Sequence, residues 1–247
     1  TVTLPARGQP TKNLERPTQL LVLVQSSATA TTAPVRELGA SLAWDATVAL
    51  AVVILTVFAL WFVAFYLTWS NFWIKISCSA ALLALLAFKL QPDYRGQMRF
   101  DRKALLQGLV SAAALYGIFW LGKVVSTTLF PFAAHQISAI YGKGADVPMP
   151  VVFALLLLIT GPCEEIYWRG FLQRQLMLRY GNWRGWLVGT AIYAGVHIWS
   201  FNFMLIGAAA VAGAFWGLLY WRWQHLAPVI VSHALWSAVI FAVAPVP

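Results

Sequence analysis

Val151-Val-Phe-Ala-Leu-Leu-Leu-Leu-Ile-Thr160-Gly161-Pro162-Cys163-Glu164-Glu165-Ile-Tyr-Trp-Arg169 decides how this chain is read. An apolar run flows without a polar spacer into two carboxylates and an arginine, and helix-compatible residues continue to Leu178. Hydropathy alone would end the helix at Gly161-Pro162 and leave Glu164 onward as a solvated amphipathic segment at the membrane surface. Pro162 fits either reading: it removes one helical hydrogen bond and kinks or restarts a helix. It also suits a kink beside a cavity, where freed backbone groups meet water or substrate. Taken as one span, the stretch puts ionisable groups in hydrocarbon. Each costs about 2.5–3.5 kcal/mol there on insertion scales and persists where it pairs, lines a cavity or acts.

The rest of the chain supports a membrane setting. Of 247 residues, 60% are hydrophobic and 10% charged, against roughly 25% charged in an ordinary soluble domain. Apolar runs of about 20 residues, each long enough to cross a core roughly 30 Å thick, recur from Ala46 onward. The expected fold class is all-α: a polytopic transmembrane helix bundle of about seven spans, near 46–68, 72–90, 104–124, 149–178, 184–200, 203–221 and 227–245. Residues 1–45, rich in Thr, Ala, Pro and Gln, read as an irregular N-terminal tail, and 46–247 as one membrane domain. The patch Leu20–Val24 is shorter than a signal-peptide core of about 7–15 residues. Several of the 13 Trp, among them Trp44, Trp69, Trp73, Trp183 and Trp199, flank the apolar runs as an aromatic belt does.

A net charge of +9 could suggest nucleic acid as a partner. The basic residues, however, sit in short loops between apolar runs, so they read as a topology signal and no nucleic-acid partner is expected. Lys89, Arg95, Arg99, Arg102 and Lys103 follow the second span, and Arg174, Arg179 and Arg184 follow the fourth. By the positive-inside rule both segments are cytoplasmic, and alternation extends that side to the N-terminus and Arg222. The 131–147 loop, with one Lys and one Asp, then lies outside. Cys78 and Cys163 have neither metal-ligand nor redox spacing.

Within the fourth span, Glu165 and Arg169 stand four apart with the Glu first, the favourable order for an ion pair on a helix. Glu164 points about 100° away and needs another partner; unpaired and poorly solvated, it is a candidate general base. His197 lies in the fifth span one turn after Tyr193, and His233 in the seventh span one turn before Ser237. Each imidazole alone would read as an interhelical contact. Two histidines and an acidic pair on three separate apolar spans are more economically one shared polar site. A proton relay in a transporter is the competing reading, against which the absence of a detectable inverted repeat counts. His135 and His225 read as solvated, Cys163 as a packing residue, and Gly207, Gly213 and Gly217 as close-packing positions.

Glu164-Glu165-x-x-x-Arg169, Tyr193-x-x-x-His197 and His233-x-x-x-Ser237, in that order on separate spans, resemble the motif series of the CPBP family, which includes the type II CAAX prenyl endopeptidases. The resemblance covers roughly residues 149–245. It implies an intramembrane endopeptidase acting on a membrane-anchored substrate, such as a prenylated tail, a sorting tail or a peptide precursor, among membrane lipids. It further implies that Glu164 and His197 activate water, that His233 helped by Ser237 stabilises the oxyanion, and that Glu165 and Arg169 hold the geometry. Tyr193 stands where the family usually has Phe, and Ser237 where it commonly has Asn or Asp. The shorter serine donor makes a catalytically silent member, with an immunity or scaffold role, the second alternative. The sequence holds no HExxH or other dense zinc motif; the expectation is no cofactor, with zinc as the alternative.

Overall fold

The computed structural model describes residues 32–91, 95–144 and 147–246, with side chains from Thr47 onward except at 95 and 144. Among these residues there is no strand. They form eight helices: α1 (Thr32–Phe65), α2 (Phe72–Leu90), α3 (Arg102–Leu129), α4 (Ala133–Tyr141), α5 (Met149–Tyr180), α6 (Asn182–Gly195), α7 (Phe203–Trp223) and α8 (Ala227–Ala242). Helix α1 begins inside the stretch expected to be an irregular tail, and residues 1–31 of that tail lie outside the described residues.

Local chemistry sets the helix ends. Asn71, Asp101 and Asn202 each cap a helix, accepting from the amides of Trp73, Ala104 and Leu205 at 2.8, 2.8 and 2.9 Å. Proline in the first turn opens α5 and α8. Gly181 at φ +83°, and Phe201 and Gln224 near φ +50°, turn the chain between helices.

Packing is inverted relative to a water-soluble protein. Leu55, Leu106 and Leu158 are over 60% exposed, whereas Glu165, Arg169, Ser232 and His233 are buried. An apolar exterior around a polar interior is what hydrocarbon solvent selects. Helix α8 lies between α3 and α5, α2 packs on the middle of α5, and α6 joins α7 to the second half of α5. Gly161 lets α5 and α8 approach closely: a Cβ there would stand 2.6 Å from the Cα of Ala234.

The chain is an integral membrane protein by these criteria. Five helices, α2, α3, α5, α7 and the Thr47–Phe65 part of α1, are long and apolar enough to cross a membrane, and Ala227–Val243 is a shorter apolar helix. The fifth expected span, 184–200, is instead a 14-residue helix continued by a 3₁₀ turn at Val196–Ser200. Five long spans and two shorter elements thus stand where seven spans were expected. Helix α5 exceeds its expected length, with 32 residues or about 48 Å at 1.5 Å each.

Candidate active site

The decisive stretch stays helical through Gly161-Pro162, so the reading that ended the helix there does not hold. Two widened, π-helical turns make this possible, at Leu156–Thr160 and Ile166–Gln173. The amide of Gly161 donates to the carbonyl of Leu156, five residues back. Proline lacks an N–H and its ring crowds the carbonyl four residues earlier; a wider turn moves that carbonyl away. Thr160, on the first widened turn, is fastened to Ser77 of α2 by a buried hydroxyl contact of 2.8 Å. Such bulges occur often at functional sites, and here they flank the acidic pair.

The two adjacent carboxylates have different environments. Glu165 is fully buried, and its Oε1 accepts from Nη1 of Arg169 at 2.6 Å and lies 2.6 Å from Nδ1 of His233. The i to i+4 pair expected from sequence is present, with His233 added to it. Arg169 donates from Nη2 to the carbonyl of Gly213 on α7 at 3.1 Å, and its guanidinium carbon lies 4.8 and 5.5 Å from the ring centres of Tyr193 and Trp216. Trp216 also stacks on His233, with 3.9 Å between ring centres. Arg169 and His233 are thus clamped between one carboxylate and one indole.

Glu164, one residue earlier, faces elsewhere. Its Oε2 accepts from the Tyr193 hydroxyl at 3.3 Å. Tyr193 also holds His197, whose Nδ1 lies 2.8 Å from the Tyr193 carbonyl. A carbonyl only accepts, so Nδ1 carries a proton, and in the neutral ring Nε2 then keeps the lone pair. Glu164, at the middle of the 32-residue α5, thus meets the last turn of the short α6.

Glu164, Tyr193, His197, His233 and Ser237 all line one cavity of about 460 Å³. Its remaining wall is mainly apolar and aromatic, as small-molecule and peptide sites usually are. Ser237 is placed differently from expectation. Its hydroxyl donates within α8, to the carbonyls of His233 at 2.8 Å and Ala234 at 3.3 Å, the usual back-bonding of a helical serine. That proton is engaged by backbone and is not offered to the cavity. Among the described residues no three His, Cys, Asp or Glu side chains gather as a metal ion would require, so the groups present do not make a zinc set.

Residues 146–239 match the family model described as type II CAAX prenyl endopeptidase Rce1-like. This segment is similar to the Rce1-like family. It reaches from the start of α5 into α8, contains all three motif elements, and bears out the resemblance to the CPBP proteases. At family level it supports intramembrane endopeptidase chemistry of the CAAX type. No curated protein and no solved structure matches the chain. The matched segment contains Glu164, His197 and His233, whereas Phe65, Phe72 and Lys143 on the cavity wall lie ahead of it.

Two site contributors escaped the sequence reading. Tyr193 was treated as a stand-in for Phe, and the signal that could have marked it is its hydroxyl, which needs a partner in an apolar span. Trp216 had no signal of its own among 13 tryptophans.

Proposed function

We propose that the protein is an intramembrane endopeptidase that hydrolyses a peptide bond in a membrane-anchored substrate with water activated by Glu164 and His197. The observation that carries this reading is the lining of one cavity by the Glu164 carboxylate and by a His197 ring whose lone pair is fixed on Nε2. The water oxygen attacks the scissile carbonyl carbon while Glu164 takes its proton. His197, accepting through Nε2, aligns that water. Collapse of the tetrahedral intermediate breaks the C–N bond, and Glu164 returns the proton to the departing amine. A positioned general base contributes roughly 10²–10⁴-fold.

His233 serves the developing oxyanion. Held by Glu165 through Nδ1 and stacked on Trp216, it can carry a second proton on Nε2 and donate it to the oxyanion. One such donor is worth about 3–4 kcal/mol. Glu165 and Arg169 are positioning residues, and Ser237 holds the α8 backbone beside His233. The mechanism is metal-free. The substrate is an apolar peptide anchored in the bilayer, since the cavity wall offers mainly aliphatic and aromatic contacts.

Reconstitution of the purified protein in vesicles with dye-labelled, membrane-anchored peptides tests this. Glu164→Gln, His197→Ala and His233→Ala are expected to lower kcat by roughly 10²-fold or more while leaving helix content and detergent elution unchanged, and chelators are expected to leave the parent rate intact. Undiminished turnover in Glu164→Gln would remove the base, and recovery of a chelated enzyme on adding zinc would remove the metal-free account.

A further inference from the structure

The bundle has two chemically distinct ends. One is drawn together by Gln91, Gln97, Gln175 and Tyr220: the Gln175 amide donates to Gln91 at 2.8 Å and the Tyr220 hydroxyl to Gln97 at 2.9 Å. Around that end lie Lys89 to Lys103, Arg174 to Arg184 and Arg222, nine basic residues in all. The opposite end is drawn together by α4: Asn202 donates to the carbonyl of Gln136 at 2.7 Å, and the Val246 amide to the Tyr141 hydroxyl at 3.0 Å. It carries three lysines, Lys75, Lys123 and Lys143. The positive-inside rule puts the nine-charge end in the cytoplasm.

The cavity belongs to the other end. Above Glu164, Trp216 and His233, its wall comes from the last turn of α1, the first of α2, the later part of α3, α4 itself, the first half of α5, Tyr193 and His197, the first half of α7 and the second half of α8. Two of the three lysines at that end, Lys123 and Lys143, line it. Lys75 does not, and its ammonium is engaged by the Leu67 carbonyl. The Lys143 ammonium rests 5.6 and 5.5 Å from the ring centres of Phe65 and Phe72, and Phe65 in turn packs edge-on against His197 at 5.6 Å. Burial lowers the pKa of Lys143 from its ordinary value. Among the described residues no carboxylate pairs with Lys123 or Lys143; Asp146 lies outside them.

We infer that the cavity is entered from the non-cytoplasmic end of the bundle, and that Lys123 and Lys143 receive an acidic side chain flanking the apolar segment of the substrate on that side. This rests on the proposed peptidase reading and adds to it where the substrate comes from and what marks it. Two ammonium groups on an otherwise apolar wall favour an anionic partner, and desolvation strengthens that attraction. A volume of 460 Å³ is about that of one turn of helix, a cylinder roughly 10 Å across and 5.4 Å tall. The cavity therefore holds a short unwound stretch beside the membrane surface, where an acidic flank lies, rather than a complete membrane helix.

Two measurements test this without relying on turnover. In a variant with Cys78 and Cys163 replaced, Thr68→Cys and Arg99→Cys, both at exposed positions, are treated in cells with a membrane-impermeant maleimide. Labelling of Thr68→Cys in intact cells, and of Arg99→Cys only after permeabilisation, is expected; the reverse pattern overturns the inference. In vesicles of zwitterionic lipid, the Glu164→Gln protein is titrated with an apolar peptide flanked by Asp or Glu and with its Asn or Gln counterpart. The acidic peptide is expected to bind at least tenfold more tightly, and adding Lys123→Gln and Lys143→Gln should abolish that difference. Equal binding of both peptides, a preference that survives the double lysine change, or one that follows amidation of the peptide end or anionic lipid instead, overturns it. A preserved preference in a parent protein that cleaves nothing would count against the peptidase reading alone.

Discussion

Nδ1 of His233, on α8, lies 2.6 Å from Oε1 of Glu165, on α5. The same oxygen accepts from Arg169, so one buried carboxylate fixes the histidine that faces the cavity and the arginine that ties α5 to α7. Adjacent glutamates thereby differ in kind: Glu165 is enclosed by two nitrogen donors, while Glu164 has a single tyrosine hydroxyl and the cavity.

Replacing Glu165 by Gln leaves Arg169 buried without a counter-charge. Breaking a buried pair in this way costs about 3–5 kcal/mol, so Glu165→Gln should lower the thermal midpoint in detergent and abolish turnover together. Glu165→Asp keeps the charge but draws the oxygen back by one methylene. It should fold and yet lose at least tenfold in kcat. Wild-type turnover in Glu165→Asp would show that His233 need not be held by this carboxylate.

Tyr193 joins the two halves of the proposed water site, and its parts can be separated. Tyr193→Phe removes the hydroxyl 3.3 Å from Glu164 but keeps the ring under Arg169 and the carbonyl that orients His197. A hydrogen bond to a charged group is worth about 1.5–3 kcal/mol. At 3.3 Å the low end applies, and a fall in kcat of roughly tenfold with an unchanged melting temperature is expected. Tyr193→Ala also removes the ring between Arg169 and Trp168 and should lower both. Equal melting losses in the two variants would mean that the hydroxyl acts through packing alone.

What the sequence disclosed here was local, and what it concealed was distant. The pairing of Glu165 with Arg169 follows from a separation of four on one helix, and the different aim of Glu164 from the 100° step. His233 reaching Glu165 links residues 68 apart, and Tyr193 reaching Glu164 links residues 29 apart; no periodicity encodes either contact. The resemblance implies that Ser237, one turn after His233, helps at the oxyanion. That same spacing lets its hydroxyl reach the His233 carbonyl within the helix. The expected seven spans were counted by apolar length, which treats α6 as the equal of α5, although α6 ends after 14 residues against 32.

The start of α3 should respond to acid. The Asp101 carboxyl is held below its ordinary range, chiefly by the Ala104 amide it accepts from, with Arg99, His225 and the Lys103 amide assisting against the opposing effect of desolvation. A depressed folded-state value means that the cap's stabilisation is complete above the unfolded value of about 3.9 and is lost as pH falls through the folded one. Hydrogen-exchange protection of the first α3 turn, corrected for the intrinsic rate, should be level from pH 7 to 5 and drop below about pH 4. In Asp101→Asn, which still caps but does not titrate, it should stay level. A matching acid drop in the Asn variant would assign the effect to another group.

Gly161 sets how near α8 comes to α5. A Cβ there would meet the Ala234 backbone, 2.6 Å from its Cα and 2.9 Å from its nitrogen. Backbone cannot rotate aside as a side chain can, so the helices must separate, and Ala234 is joined directly to His233. Gly161→Ala should therefore cost about 1–3 kcal/mol, as overpacking does, and should also lengthen the His233 to Glu165 contact and lower kcat at least tenfold. Gly117→Ala, on α3 with open space around the new methyl, should be neutral or slightly stabilising, since alanine is the better helix former. Thermal unfolding in detergent and turnover, measured on both variants, distinguish the two cases: a Gly161→Ala protein that matches Gly117→Ala in both would mean that the α5–α8 approach does not position His233.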